Sequence, residues 1–559
     1  MAYLTDVWKP GLTHAATIVN VFWGLYAVFP LLHAFLADTI LGNYWMIFIS
    51  NISFSAGLGF LTMSTPPVLA RSMGNCSEYS PECIGQGQKI LFYTAMPLIV
   101  FGMAGHLSCT TIFYDEQLSR GGNQGNNDGG SKVFTKFFYD VANIIVPSVA
   151  VLGLPYVNPW SLRFGIPAIC ALVATFLFST TLRRLNKYNL KPKGSPVTIF
   201  IRVFVAAVSK LLYTIPTDAN ELFEVRNSQL ALLPHSGSLR CLDKAAIVIP
   251  TKPLEEQENN AWGLCRVTEV EETKTIVCMI PVWMTFIFCG VVTALVFTYF
   301  IEQLNHMNPK VGRLKVPIVA FLWLHQQITK KCANFCTRLY HSIGVRKPGS
   351  EKIAPTMGIA VSMILAILCC ITAAKVENRR LGVARRHGLV DKHDERLPMT
   401  MFWLLPQFVL LGASDGVLIS SGYYFFTDDQ APFAMQRYLP LYNRFVSGVG
   451  ILTSILTVFV VGRISEKGGK TNWFQHSINA SRVDKYYWTL AWLMGVNLVI
   501  FVVVAVLYRY KESKLKREEP RTRSRVTNNA LHCGHSTSTS NWTCNITCNC
   551  CCWNFEYNS

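Results

Sequence analysis

An all-α, multi-pass membrane protein is the fold this chain predicts, and three observations carry the prediction. Hydrophobic residues make up 51% of the chain and charged residues only 15%, a balance foreign to ordinary soluble domains of this length. Apolar windows long enough to cross roughly 30 Å of hydrocarbon recur along nearly the whole sequence. The basic residues behind the net charge of +18 collect in loops and tails between those windows, which argues against a nucleic-acid-binding face.

Taken in order, the windows fall near 14–36, 44–64, 90–113, 134–155, 162–182, 276–301, 316–335, 355–375, 400–426, 439–462 and 486–508, so about 11 transmembrane helices are expected. Between Arg183 and Lys210 there are seven Lys or Arg and no acid, and Arg509 to Arg525 is similarly basic. Both stretches therefore read as cytoplasmic. The loops expected around Arg379, Arg380, Arg385 and Arg386, and from Lys467 to Arg482, then face the other side. Met1 to Gly11 holds no apolar core behind a positive charge, so the first window is expected to act as the insertion signal.

These windows divide the chain into a helical bundle over 1–182, a cytoplasmic loop over 183–275, a six-helix bundle over 276–510 and a tail over 511–559. Within the loop, an amphipathic helix near 196–213 is expected on the membrane surface. The run NQGNNDGG (123–130) reads as a flexible connector. The tail is basic, then Ser/Thr/Asn-rich, and should be disordered. Its Cys533, Cys544, Cys548, Cys550, Cys551 and Cys552 match no zinc-finger spacing, so no metal site is assigned.

No GxSxG, HExxH or phosphate-binding Walker loop occurs, and the acids are scattered over different windows, which argues against an enzyme. A charge near the bilayer midplane costs about 2.5–3.5 kcal/mol on insertion scales, so each ionisable residue inside a window is a functional candidate. Those residues are Asp140, Glu302, His325, Asp415 and Arg444, with His106.

Three stretches of the central region, KPKGSPVT (191–198), LDKAAI (242–247) and EETKTIVCMIPVW (271–283), occur in this order. With them the chain resembles the plant nitrate/peptide transporters, a branch of the proton-dependent oligopeptide transporter family in the major facilitator superfamily. The likeness covers essentially 2–512. It implies two six-helix bundles built from inverted three-helix repeats, with 12 helices in the family. AYLTDVWKPGL (2–12) resembles the outer end of a first helix whose body, with the family's ExxER motif, is expected to be missing. The implied activity is secondary active symport of a small solute such as nitrate or a di- or tripeptide with protons, by alternating access. No cofactor is implied beyond the proton gradient. The implied partners are the solute, protons and the lipid bilayer, in the plasma or vacuolar membrane. An uncoupled facilitator and a non-transporting relative or sensor are the alternatives.

The resemblance also assigns residues. Glu302 in TYFIEQ would be a proton-binding or gate-forming carboxylate, the other reading being a helix-end Glu solvated at the interface. Asp415 lies in LPQFVLLGASDGVLISSGYYFF (405–426), where the family usually has Glu, paired with a Lys on its fourth helix. Leu107 stands where that Lys would align in GMAGHLSCTTIFYDEQL (102–118), which leaves neighbouring His106 as the candidate partner. Asp38 and Gly42 match the cytoplasmic gate motif of the superfamily, with Asn43 and Trp45 where basic residues are common. Asn143, Tyr299 and Gln407 are the candidates for lining a central cavity. Cys76 and Cys83 are expected to form a disulfide on the outer side, where Asn75 and Asn479 stand in glycosylation sequons.

Overall fold

The computed structural model describes the chain except residues 71–75, 122–136, 138–140, 142–144, 152, 181–193, 217–220, 225–235, 238, 261, 312, 347–352, 391–394, 428–437 and 531–559. Among the described residues, eight helices are long and apolar enough to cross a membrane. In hydrocarbon the backbone must satisfy its own hydrogen bonds, and a helix does so within one segment. The same constraint explains how Pro30, Pro97, Pro167 and Pro281 stay inside helices, since neighbouring helices can meet the freed carbonyls.

The first apolar stretch, Leu12–Met63, holds two of the expected windows. These are α1 (Leu12–Leu36) and α2 (Gly42–Met63), joined by a π-helical turn over Ala37–Leu41. Gly42 closes that turn at φ 77°, a conformation that only glycine adopts at no steric cost. There follow α3 (Gln86–Gly121), α4 (Trp160–Thr180) and α5 (Pro196–Ser209). The window expected at 134–155 falls largely on residues outside the described set. After the loop come α6 (Val267–Phe297), the short α7 (Tyr299–Asn305), α8 (Val319–Arg346), α9 (Ile353–Arg386), α10 (Leu405–Thr427), α11 (Leu439–Ser465) and α12 (Val483–Ala530). Helix α8 carries Lys330, Lys331 and Arg338 and is not among the eight by hydropathy, yet it runs 28 residues and packs along α10.

Two compact units make up the molecule. One comprises Met1–Arg202 and Thr275–Val502, so it holds the helices of both expected bundles. Inside it α2 packs on α3 and α4, and α10 is flanked by α8 and α9. Helix α1 joins the halves by packing along α11. There Asn20 Nδ2 donates to Ser454 Oγ at 2.9 Å, and Trp23 stacks on Phe297 of α6 at 4.3 Å between ring centroids. Asn305 Nδ2 donates to Asp6 Oδ1 at 3.0 Å and the Tyr156 hydroxyl to the Lys315 carbonyl at 2.9 Å.

The other unit includes Val203–Lys274. Its core is built from Val203, Ala206, Leu242, Ala245, Ala246 and Val270. The helix expected to rest on the membrane surface thus lends one face to this core, while Phe204, Val205 and Val208 on its other side stay exposed. Buried beside that core, Lys274 Nζ lies 2.6 Å from Asp243 Oδ1 and 2.7 Å from Glu271 Oε1. Lys210 Nζ donates to the carbonyls of Ala245 and Ile247 at 3.2 and 2.6 Å. With no carboxylate partner among the described residues, its ammonium is pushed down by burial to about 8.

Candidate functional site

Asp415 sits in the middle of α10, where a carboxylate must find donors or remain an uncompensated charge. Thr293 of α6 supplies one, its Oγ1 donating to Asp415 Oδ1 at 2.8 Å. From α8, His325 Nε2 lies 3.2 Å from the other oxygen, with side-chain exposures of 7% for His325 and 14% for Asp415. The contact is one of charge and distance, because the ring nitrogen is not aligned for a formed hydrogen bond. A proton on either partner would complete it after a small ring rotation.

The backbone explains why α8 comes so near. Gly412 and Gly416 bracket the acid, and a Cβ at Gly412 would stand 2.9 Å from the His325 carbonyl. At Gly416 it would stand 2.3 Å from the Thr329 carbonyl and 2.9 Å from Cys332 Cβ. This small-xxx-small spacing lets two helices touch backbone to backbone in a membrane. Further along the same seam, Thr337 meets Ser420 at 3.0 Å and Tyr340 meets Ser421 at 2.6 Å.

A second polar cluster, around α7, is closed on itself. The chain breaks at Thr298 (φ −117°, ψ −92°) between α6 and α7, which turns Glu302 inward. Glu302 is 4% exposed, so the solvated-interface reading does not hold. Its Oε1 lies 3.1 Å from His306 Nε2, and Oε2 has no hydrogen bond among the described residues. Beside it, Gln303 donates to Glu377 Oε2 at 2.7 Å. Arg380 grips both oxygens of Glu377, Nε at 2.7 Å and Nη2 at 2.8 Å. Its remaining donors reach Asn479 Oδ1 at 2.6 Å and the Ile478 carbonyl at 3.1 Å.

Several expectations are corrected here. Arg380 is not in an outer loop: α9 continues to Arg386 and Arg380 is fully buried, because Glu377 one turn earlier neutralises it. The Asn479 side chain is occupied by Arg380 and the Leu389 carbonyl, so that sequon is closed to a glycan, while Asn75 lies outside the described residues. Gln407 does not face a cavity; it is wholly buried and donates to Gln303 Oε1 at 3.3 Å. Tyr299 is likewise packed inside the second half, against the rings of Phe474 and Tyr486 at 6.1 and 5.9 Å. Asn143, the third cavity candidate, and Asp140 lie outside the described residues.

A third cluster gathers at the π-turn between α1 and α2. Asp38 leaves α1 in the π-turn, and its Oδ2 accepts the Tyr438 hydroxyl at 2.5 Å. The same hydroxyl lies 3.0 Å from Ser195 Oγ, and the Gly194 N–H donates to the Asp38 carbonyl at 3.1 Å. The loop stretch GSPVT, α1 of the first half and Tyr438 at the head of α11 therefore meet at one point. Ser195 also caps α5, accepting from the Val197 N–H at 3.2 Å. Asn43, where a basic residue is common, donates to Glu116 Oε1 at 2.9 Å.

His106 is on α3 with its ring edge-on to Phe54 at 6.3 Å, whereas Asp415 finds its partners on α6 and α8. Leu107 next to it is exposed. Arg444 lies over the Tyr26 ring at 4.9 Å. Cys76 and Cys83 are bonded to each other, with Cα atoms 4.9 Å apart. Among the described residues no group of His, Cys, Asp and Glu could hold a metal ion. Thr293, Tyr438, Ser195 and Glu377 were not singled out from sequence. The glycine spacing around Asp415 was the signal that could have pointed to α8.

A family model described as POT family matches residues 44–474. Protein NRT1/PTR FAMILY 5.5 of Arabidopsis thaliana is 38% identical over 511 residues, covering 91% of this chain and 92% of that protein. NRT1/PTR FAMILY 5.4 of the same plant is 30% identical, with 93% and 92% covered. Among solved structures, an auto-inhibited POT family peptide transporter superposes with a TM-score of 0.55 at 16% identity, covering 91% of this chain and 92% of that one. A peptide transporter POT in complex with alafosfalin gives 0.53 at 13% identity, with 92% and 90% covered.

Proposed function

The chain belongs to the POT family of membrane transporters, and from that premise we propose that it carries a small solute, nitrate or a di- or tripeptide, together with protons by alternating access. The observation that carries the reading is the mid-membrane carboxylate of Asp415, held between the Thr293 hydroxyl and the His325 imidazole. A carboxylate enclosed by helices and given a partner that can itself change charge is suited to taking up and releasing a proton. The Asp38–Tyr438–Ser195 cluster fits the cytoplasmic gate. Its bonds, each worth about 0.5–1.5 kcal/mol net and up to about 3 where a charge takes part, are weak enough to be made and broken in each cycle. The membrane is the plasma or vacuolar membrane.

Uptake of nitrate and of dipeptides by cells expressing the chain, measured against external pH, tests this. Symport predicts uptake several-fold faster at about pH 5 than at about pH 8, because protons taken up from outside then drive the cycle. The absence of a cation at Leu107 favours a second reading, an uncoupled facilitator of the same solutes, and pH-independent uptake would establish it.

A further inference from the structure

We propose that His325 is the second member of the coupling proton site: it takes, from inside the second half, the place of the cation that Leu107 does not supply from the first. This rests on the symport reading above. Three independent features of the seam between α8 and α10 support it. The Nε2 atom of His325 stands 3.2 Å from Asp415 Oδ2, and both side chains are shielded. Thr293 fixes the opposite oxygen at 2.8 Å, which leaves Oδ2 as the free face of the carboxylate. Gly412 and Gly416 remove the side chains that would otherwise hold α8 away, the Gly412 position opposing the His325 carbonyl itself.

The other titratable groups near the acid are weak competitors. Cys289 of α6 and Cys369 of α9 feel its charge, but a thiol is a poor proton acceptor beside an imidazole. Cys369 also spends its Sγ–H on the Gln407 carbonyl at 3.3 Å. From α11, Arg444 is engaged over the Tyr26 ring of α1. Among the described residues, His325 is therefore the side chain facing Asp415 that can both accept and donate a proton.

The charge balance of the pair explains how it would work. With one proton the pair is neutral overall, whether the proton sits on Oδ2 or on Nε2. Without it the pair carries one negative charge. A neutral pair is far cheaper to enclose between helices than a lone carboxylate, so occupancy by one proton taken from the outer side favours the closed, solute-loaded state. Loss of that proton to the cytoplasm breaks the neutral pair and favours reopening. Because both members belong to the second half, the proton is bound and released without a salt bridge between the halves.

The test uses the full chain in proteoliposomes with nitrate and with alanyl-alanine as probes. It compares wild type with His325→Gln, which keeps the side-chain size without a titrating ring, and with His325→Arg, a permanent cation. Two readings are taken: net uptake against external pH, and exchange of labelled for unlabelled probe at equal pH on both sides. We expect the several-fold acid stimulation of wild type between about pH 8 and about pH 5 to collapse towards one in both variants while exchange persists. Unchanged acid stimulation in His325→Gln would overturn the proposal. So would equal loss of uptake and exchange in both variants, which would mark His325 as structural. If wild type itself shows pH-independent uptake, the symport reading fails first and this inference falls with it.

Discussion

Two carboxylates in the same half of the molecule, Glu377 buried and Asp415 half-buried, are treated in opposite ways. Glu377 receives three donors, two of them from Arg380, a side chain that cannot lose its charge. Asp415 receives one hydroxyl and faces an imidazole 3.2 Å away. The first arrangement is saturated and permanent; the second is incomplete and sets the acid against a ring that can donate or accept a proton. What separates a structural acid from a coupling acid here is the partner, since both are enclosed by helices.

The comparison can be broken most severely at the saturated pair. Arg380→Ala would leave Glu377 enclosed without its cation and should cost about 3–5 kcal/mol, as for other buried pairs cut on one side. Thermal unfolding in detergent should show a large drop, accompanied by loss of surface expression. Next comes the seam that brings His325 to Asp415. Gly416→Ala forces a methyl to within 2.3 Å of the Thr329 carbonyl, an overpacking of about 1–3 kcal/mol, and acid-stimulated uptake should fall by more than stability does. Gly382→Ala, where no atom would lie within 4 Å of the new Cβ, is the matched control and should leave both unchanged.

A smaller effect is expected at the cluster of Asp38, Tyr438 and Ser195. Tyr438→Phe removes the hydroxyl bound by Asp38 and Ser195, about 1–3 kcal/mol. The variant should spend more time open to the cytoplasm, read as faster labelling of an engineered cysteine from that side. The smallest effect concerns Lys210, a buried cation whose partners among the described residues are the carbonyls of Ala245 and Ile247. Its ammonium lies at about 8 against an ordinary 10.5, so the unfolded segment binds the extra proton between those values. The unit holding Val203–Lys274 should therefore become more resistant to proteolysis as pH rises through that window, and Lys210→Met should flatten the slope.

Much of this was legible in the sequence, for reasons that differ by region. The spans were readable because hydrocarbon demands uninterrupted apolar helices, and Gly42 because the π-turn needs a positive φ. Asp38 and Asp415 were readable as motif residues. Their partners were not, since Tyr438 and His325 come from helices far along the chain and no local pattern states which faces meet. Arg380 was misread as an outer loop residue because a charge run usually marks a helix end; Glu377 one turn earlier was the overlooked counter-signal. Tyr299 and Gln407 are polar residues on a span, and sequence alone could not tell a cavity wall from a hydrogen-bonded interior.

The most direct test of the account is the number of protons carried with each solute molecule by wild type and by Asp415→Asn. It would be read as solute-driven pH change inside proteoliposomes. The account predicts at least one proton per solute in wild type and solute movement without proton movement in the variant. An Asp415→Asn protein that still acidifies the vesicle interior in step with solute entry would contradict it.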